Sequence, residues 1–409
     1  MNLYLLTSFL FIFVAVLGAL DASSISLNLL PGFSIIRWLR VHLITLGVMT
    51  EMLFGILPIL VAQYTHQPRP RTRLDIWLLL NMGMMSLLIG IPLVNQAIIV
   101  AGGTLIFLAT LLLMHQLWQM RAAAPQAPRS VSRKFYLVGL AFFLLGIVVG
   151  MGFYFGWNAA LGMLVPIEVH IHANNWGLMS LVFAGLLIDL YPQFTGRELA
   201  WPRSVNAIFW LMSWGALGLV LGPWTGSKWF TVPGLLMHLT ATIWLLLNLI
   251  RPLRHQPHLR TPGIYHLITA YAWLLAPVLI APLILLGVPG FPGAGIEANA
   301  PQALIYGWVL QFGYALLPYL LARLLLGKET AVLGGSWFSL TAVHLGGIFL
   351  WASIFITPIQ GVLHGLAYLL WAISAVPILS QMWHITQQAW QQFESSQWGE
   401  ESGRLSTGD

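Results

Sequence analysis

Three stretches of the chain, each 130 residues from the next, share one pattern: HLITLGVMTEMLFGILPIL from His42, HANNWGLMSLVFAGLLIDL from His172 and QALIYGWVLQFGYALLPYL from Gln302. Gly47, Gly177 and Gly307 coincide, as do Leu57, Leu187 and Leu317, then Leu60, Leu190 and Leu320. Gly55 matches Gly185, Met49 matches Met179 and Pro58 matches Pro318. A fixed period this long predicts a fold built from three copies of one unit. The two histidines of the shared column then stand at one depth on related elements.

The nature of those elements follows from polarity. Hydrophobic residues make up 58% of the chain and charged residues 7%. Apolar runs of about twenty residues recur from end to end, the length a helix needs to cross a bilayer. The expectation is an all-α polytopic membrane protein of about twelve spans, four per repeat, with no room for a large soluble domain. Residues 1–383 read as one transmembrane domain, with repeats over about 1–130, 131–260 and 261–383, and residues 384–409 as a polar cytoplasmic tail that starts helical and frays. LFIFVAVLGALDASS has the short apolar core of a secretion signal, but it lacks a basic start and stands in register with the spans near Phe135 and Tyr265. It reads as a mature helix.

With loops numbered in order, only Arg37, Arg40 and Lys228 of the 18 Lys and Arg fall in odd-numbered loops. That bias predicts a multi-pass protein of the inner (cytoplasmic) membrane with both termini in the cytoplasm. The net charge of +6 is then a consequence of topology, and nucleic acid need not be invoked. Cysteine is absent, which excludes disulfides, thiolate metal ligands and thiol catalysis.

Under this topology His42, His170 and His172 lie in the outer part of the bilayer. A buried imidazole there must be paired, coordinated, or neutral and hydrogen-bonded, because an unsatisfied polar group in hydrocarbon costs several kcal/mol. A single such histidine more often packs than ligates, and His-x-His alone is a weak signal, since positions i and i+2 diverge by about 200° around a helix. Shared column and shared depth favour ligation, and a planar macrocycle between His42 and His172 satisfies both rings. The divergence lets His170 serve a second group on the other side of the helix.

EVHIHANNWGLMSLVFAGLLIDLYP resembles the helix of the heme-copper oxidase superfamily that carries His-x-His and a later Tyr-Pro, in the style of the nitric oxide reductase branch. RVHLITLGVMTEMLFGILP resembles that family's second helix. The resemblance implies a twelve-helix, pseudo-threefold catalytic subunit with one or two b-type hemes. His42 and His172 resemble the axial ligands of a low-spin heme, and His170 the ligand of a high-spin heme. Arg37 and Arg40 take either of two parts, pairing with heme propionates or anchoring at the interface. The chain departs from the family in placing His-x-His in the second repeat and in having no His-His pair. A conventional copper site is therefore not expected; His238, with His344 and His364, is the candidate for a substitute. A second resemblance is to the NnrS-like heme proteins of the nitric oxide stress response, through GLLIDLYPQFTGRELAWPRSVNAIFWLMSWGALGLV.

Glu51, nine residues beyond His42 and about 14 Å deeper, is either a proton-relay group or a neutral acid hydrogen-bonded between helices. Gln311 occupies its column in the third repeat. Glu168 flanks the outer region as a propionate neighbour or proton exit, Asp189 reads as interfacial, and GVPGFPGAG reads as an outer loop closing over the site. The functions these features imply are a nitric oxide reductase-like or oxidase-like oxidoreductase or a heme protein that senses, binds or conducts. Its partners would be a small diatomic gas and quinol or a separate electron-donor subunit. The alternative is a proton-coupled transporter without heme, against which a threefold period argues.

Overall fold

The computed structural model describes residues 2–29, 37–120, 132–254, 256–328 and 331–406, and among these there is no strand. The helices are α1 (Leu3–Ser26), α2 (Trp38–Tyr64), α3 (Leu74–Gly90), α4 (Gln96–Gln119), α5 (Arg133–Phe155), α6 (Pro166–Thr195), α7 (Pro202–Thr225), α8 (Lys228–Leu253), α9 (Pro262–Leu285), α10 (Gly293–Leu326), α11 (Trp337–Phe355), α12 (Gln360–Ser374) and α13 (Val376–Ser406). Among the described residues eleven helical stretches are long and apolar enough to cross a membrane, with α12 and the start of α13 counted together. α3 is equally apolar but has 17 residues. At 1.5 Å per residue it reaches about 26 Å, slightly less than a bilayer core. The protein is an all-α polytopic membrane protein.

The centre of the bundle is made by the three helices that carry the repeated pattern. In their most apolar windows α2 is 89% buried, α6 78% and α10 67%, whereas the other long spans range from 33% to 50%. Each central helix changes from α to π winding one residue after the shared column, at Leu43–Thr50, Ala173–Met179 and Ala303–Val309. π winding leaves carbonyls short of their usual donors. In two helices a hydroxyl fills that need: Thr50 donates to the Thr45 carbonyl at 2.9 Å, and Ser180, in the same column, to the Asn175 carbonyl at 3.2 Å. Leu310 stands there in α10.

Within each π segment a glycine admits an aromatic ring from the preceding span. Gly47 lies against Phe11 of α1, Gly177 against Phe142 of α5 and Gly307 against Trp273 of α9; an added Cβ would stand under 3.0 Å from the ring in every case. Around this centre α3 pairs with α4, α7 with α8 and α11 with α12, and α12 packs along α1 to close the ring.

Two boundaries differ from expectation. α10 begins at Gly293 rather than near Gln302, so the Gly/Pro-rich stretch expected as an outer loop is helical from its last glycines onward. Pro292 immediately precedes that start, and Pro301 falls where the helix passes into π winding. The tail is a continuation of α13, which runs on from the last span to Ser406.

Candidate functional site

A cavity of about 600 Å³ opens beside the α to π transition of α2 and α6, within the range of roughly 300–1,000 Å³ typical of ligand pockets. His42, Thr45 and Met49 line it from α2, His170, Asn174 and Leu178 from α6, and Gly146 and Gly150 from α5. Its wall is completed by Leu87, Ile99 and Ile106 of α3 and α4 and by Glu297, Pro301 and Ile305 of α10.

The two histidines are held in the same way. His42 Nδ1 lies 2.7 Å from the Trp38 carbonyl, with its ring stacked on the Trp38 indole at 4.4 Å. His170 Nδ1 lies 2.8 Å from the Gly146 carbonyl. A carbonyl only accepts, so each Nδ1 carries the proton and each neutral ring keeps a bare Nε2. This assignment follows from the hydrogen-bond network, and it is the arrangement that fixes and strengthens an imidazole ligand. The ring centroids are 6.3 Å apart with planes inclined by 33°. Two imidazoles bound in trans to one metal ion, with metal–nitrogen bonds of about 2 Å and roughly 1 Å more from nitrogen to ring centre, have centroids about 6 Å apart.

The pair expected from the sequence, His42 and His172, is not the pair that lines this cavity. His172 does not line the cavity; its Nδ1 lies 2.6 Å from the Leu219 carbonyl of α7, and its ring meets Trp176 edge-on at 6.5 Å. The reason is the i, i+2 divergence around α6, which turns His170 toward α2 and His172 toward α7. His172 is anchored like the other two and likewise retains a bare Nε2.

Arg40 stands apart from the cavity. Its guanidinium lies over the Tyr368 ring, 5.3 Å from the centroid, and it does not line the cavity. The Arg37 side chain lies outside the described residues. The charged groups that do line the cavity are Glu168 of α6 and Glu297 of α10. Glu297 escaped the sequence reading because it lies in the stretch taken for a loop.

The substitute copper ligands do not converge. His238 of α8 packs edge-on against Trp176 at 5.1 Å, with Thr242 Oγ1 3.4 Å from its Nδ1. His344 of α11 accepts from Trp273 Nε1 at 3.0 Å and contacts Thr269 at 2.8 Å, so both nitrogens are engaged within a different helix interface. His364 of α12 lies by Tyr368. Among the described residues no group of three or more His, Cys, Asp or Glu is placed to hold a metal ion.

Glu51 is fully buried, and neither carboxyl oxygen has a hydrogen-bond partner. It does not line the cavity. Its counterpart Gln311 is engaged, lying 3.0 Å from His266 Nδ1. Asp189, expected at the interface, is instead buried; it accepts from Ser132 and from Tyr136 at 2.6 Å.

No protein-family model matches the chain, and no curated protein matches it.

Proposed function

We propose that the protein is a heme b-binding integral membrane protein in which His42 and His170 would hold one heme. The observation that carries this reading is the closeness of two imidazoles that both line the cavity, each anchored through Nδ1 to a backbone carbonyl, with centroids 6.3 Å apart. The absence of cysteine leaves no thioether attachment, which excludes a c-type heme and is compatible with the b type. His172, anchored on the opposite side of α6, is the single protein ligand proposed for a second heme.

A bound heme would supply one-electron chemistry and, where one histidine alone holds it, could bind a neutral diatomic gas. The chain's own residues orient the imidazoles, exclude water with the isoleucine and leucine wall, and place Glu168 and Glu297 at the polar side of the cavity. Electrons come from quinol or a separate donor subunit. The distribution of Lys and Arg supports placement in the inner membrane with the histidine end facing outward.

The test is a reduced-minus-oxidised spectrum with a pyridine hemochrome assay on detergent-purified protein expressed with ample heme. The bis-histidine signal should be present, disappear in His42→Ala and in His170→Ala, and persist in His172→Ala. Absence of a Soret band from well-folded protein would refute the reading and return the buried carboxyl and cavity to the transporter alternative. Loss of the signal in His172→Ala alone would restore the His42–His172 pairing.

A further inference from the structure

At the end of the bundle opposite the histidines, the segment joining α2 to α3 reads QPRPRTR from Gln67. Proline fixes its own φ and pushes the residue before it toward extended backbone. Pro68 and Pro70 therefore keep this stretch out of both helices, and residues 67–73 have no helical winding. The segment borders a second cavity, of about 350 Å³, and Arg69, Arg71 and Arg73 all line it. Two residues at the start of α1 fix that border: the Tyr4 hydroxyl donates to the Arg73 carbonyl at 3.0 Å, and the Asn2 amide donates to the Gly55 carbonyl of α2 at 3.1 Å. The rest of the wall is largely apolar, with Phe54 and Ile59 of α2, Ile76 of α3 and Leu113 of α4.

Topology alone asks for arginine in such a loop, but not that three arginines share one cavity with an apolar wall. Asp75 engages one of them, accepting from Arg73 Nε at 2.8 Å. Among the described residues no Asp or Glu lines the cavity itself. Gln116 of α4 also lines it, and its buried Oε1 has no hydrogen-bond partner. Turned over, the same amide presents an N–H donor at that place. Arginine grips phosphate oxygens through its planar fork of donors, and basic pockets between membrane helices take anionic lipid headgroups. A cationic border on an apolar wall matches a molecule that is anionic at one end and hydrocarbon at the other, whereas a free phosphate ion would leave the apolar wall unused. We propose that this cavity binds the phosphate headgroup of an anionic phospholipid. Arg69, Arg71 and Gln116 donate to the phosphate, and the upper part of an acyl chain lies against Phe54, Ile59 and Leu113. Arg73, held by Asp75 and through its carbonyl by Tyr4, keeps the segment in place.

The test uses the full chain in an uncharged detergent at constant ionic strength. Phosphatidylglycerol should raise the thermal midpoint saturably, and native mass spectrometry should show one lipid retained per chain. Phosphatidylcholine, whose headgroup carries its own cation, and inorganic phosphate should do neither. Arg69→Gln combined with Arg71→Gln should weaken retention by roughly tenfold or more. Arg203→Gln removes the same kind of charge from an exposed position at the start of α7, outside the cavity, and should leave retention unchanged. Gln116→Leu keeps the arginines and should weaken retention by a smaller factor, which gives a second reading should the double variant fail to fold. A native chain that retains no lipid, or retention unchanged in the double variant and in Gln116→Leu, would overturn the site. Equal weakening in Arg203→Gln would replace it with diffuse attraction to the charged face, and a response to inorganic phosphate without one to the lipid would replace the headgroup with a free ion.

Discussion

Glu51 and His170 show how a single residue's surroundings decide what it can do. The carboxyl of Glu51 is buried without a well-formed hydrogen bond; Asn81 of α3, which donates one of its two amide N–H groups to the Trp77 carbonyl at 3.0 Å, is the polar side chain beside it. A buried polar group left unsatisfied costs about 1–3 kcal/mol, and replacing it with an apolar residue of similar size removes that cost. Glu51→Met should therefore raise the thermal midpoint of the purified protein, by an amount corresponding to about 1–3 kcal/mol. A lower midpoint would mean that the carboxyl is held by its neighbours and serves the structure. The position of Glu51 was legible in the sequence, because nine residues along a helix fix depth. Its lack of partners was not, since that depends on which side chains α3 turns toward it. The same distinction applies to the histidines: their common column was readable, whereas the choice between His170 and His172 as partner of His42 depended on the rotation of α6, which a run apolar on every side does not encode.

At the scale of elements, each central helix is fitted to the span before it by one glycine and one aromatic ring. Gly47→Ala would bring a Cβ to 2.7 Å from Phe11 Cγ, and such overpacking typically costs about 1–3 kcal/mol. The loss of stability should be reversed by the second substitution Phe11→Leu. Failure of the double variant to recover would show that the glycine serves the π winding itself rather than the helix contact. Thr50→Val tests that winding directly, since it removes the hydroxyl that caps the Thr45 carbonyl. It should destabilise the chain by about 1 kcal/mol, measured by thermal inactivation. The glycine columns made the repeat readable because a fixed close approach demands the same small residue at the same place. The start of α10 was not readable, because a Gly/Pro-rich composition is a weak prior that packing of Ile296 and Asn299 into the bundle overrides.

Across the whole molecule, the central helices are tied together at the end opposite the histidine cavity. His42 and Tyr64 are 22 residues apart on α2, so the two ends are separated by roughly 33 Å. There Tyr64 donates to the Asp189 carbonyl of α6, Gln193 of α6 donates to the Tyr64 hydroxyl at 2.9 Å, and Arg323 of α10 donates to Gln193 and, at 2.8 Å, to Tyr319. Ser132 and Tyr136 bring α5 into the same network through the Asp189 carboxyl. Gln63, Gln193 and Arg323 are 130 residues apart in turn, so the repeat column itself supplies the link between α6 and α10. Asp189 looked interfacial in the sequence because the two groups that donate to its carboxyl, Ser132 and Tyr136, lie more than fifty residues away. If this network clamps the bundle, its members act as a unit. Gln193→Leu and Arg323→Leu should then be strongly non-additive, with a coupling of about 0.5–3 kcal/mol in a double-mutant cycle. Both variants should lower the thermal midpoint while leaving the spectrum of the heme proposed at His42 and His170 unchanged, since the clamp and the cavity share central helices but no side chains. Additive losses would show separate local contacts instead of a clamp. A spectral change in either variant would show that the clamp sets the rotation of α6 and, through it, the distance between the two imidazoles.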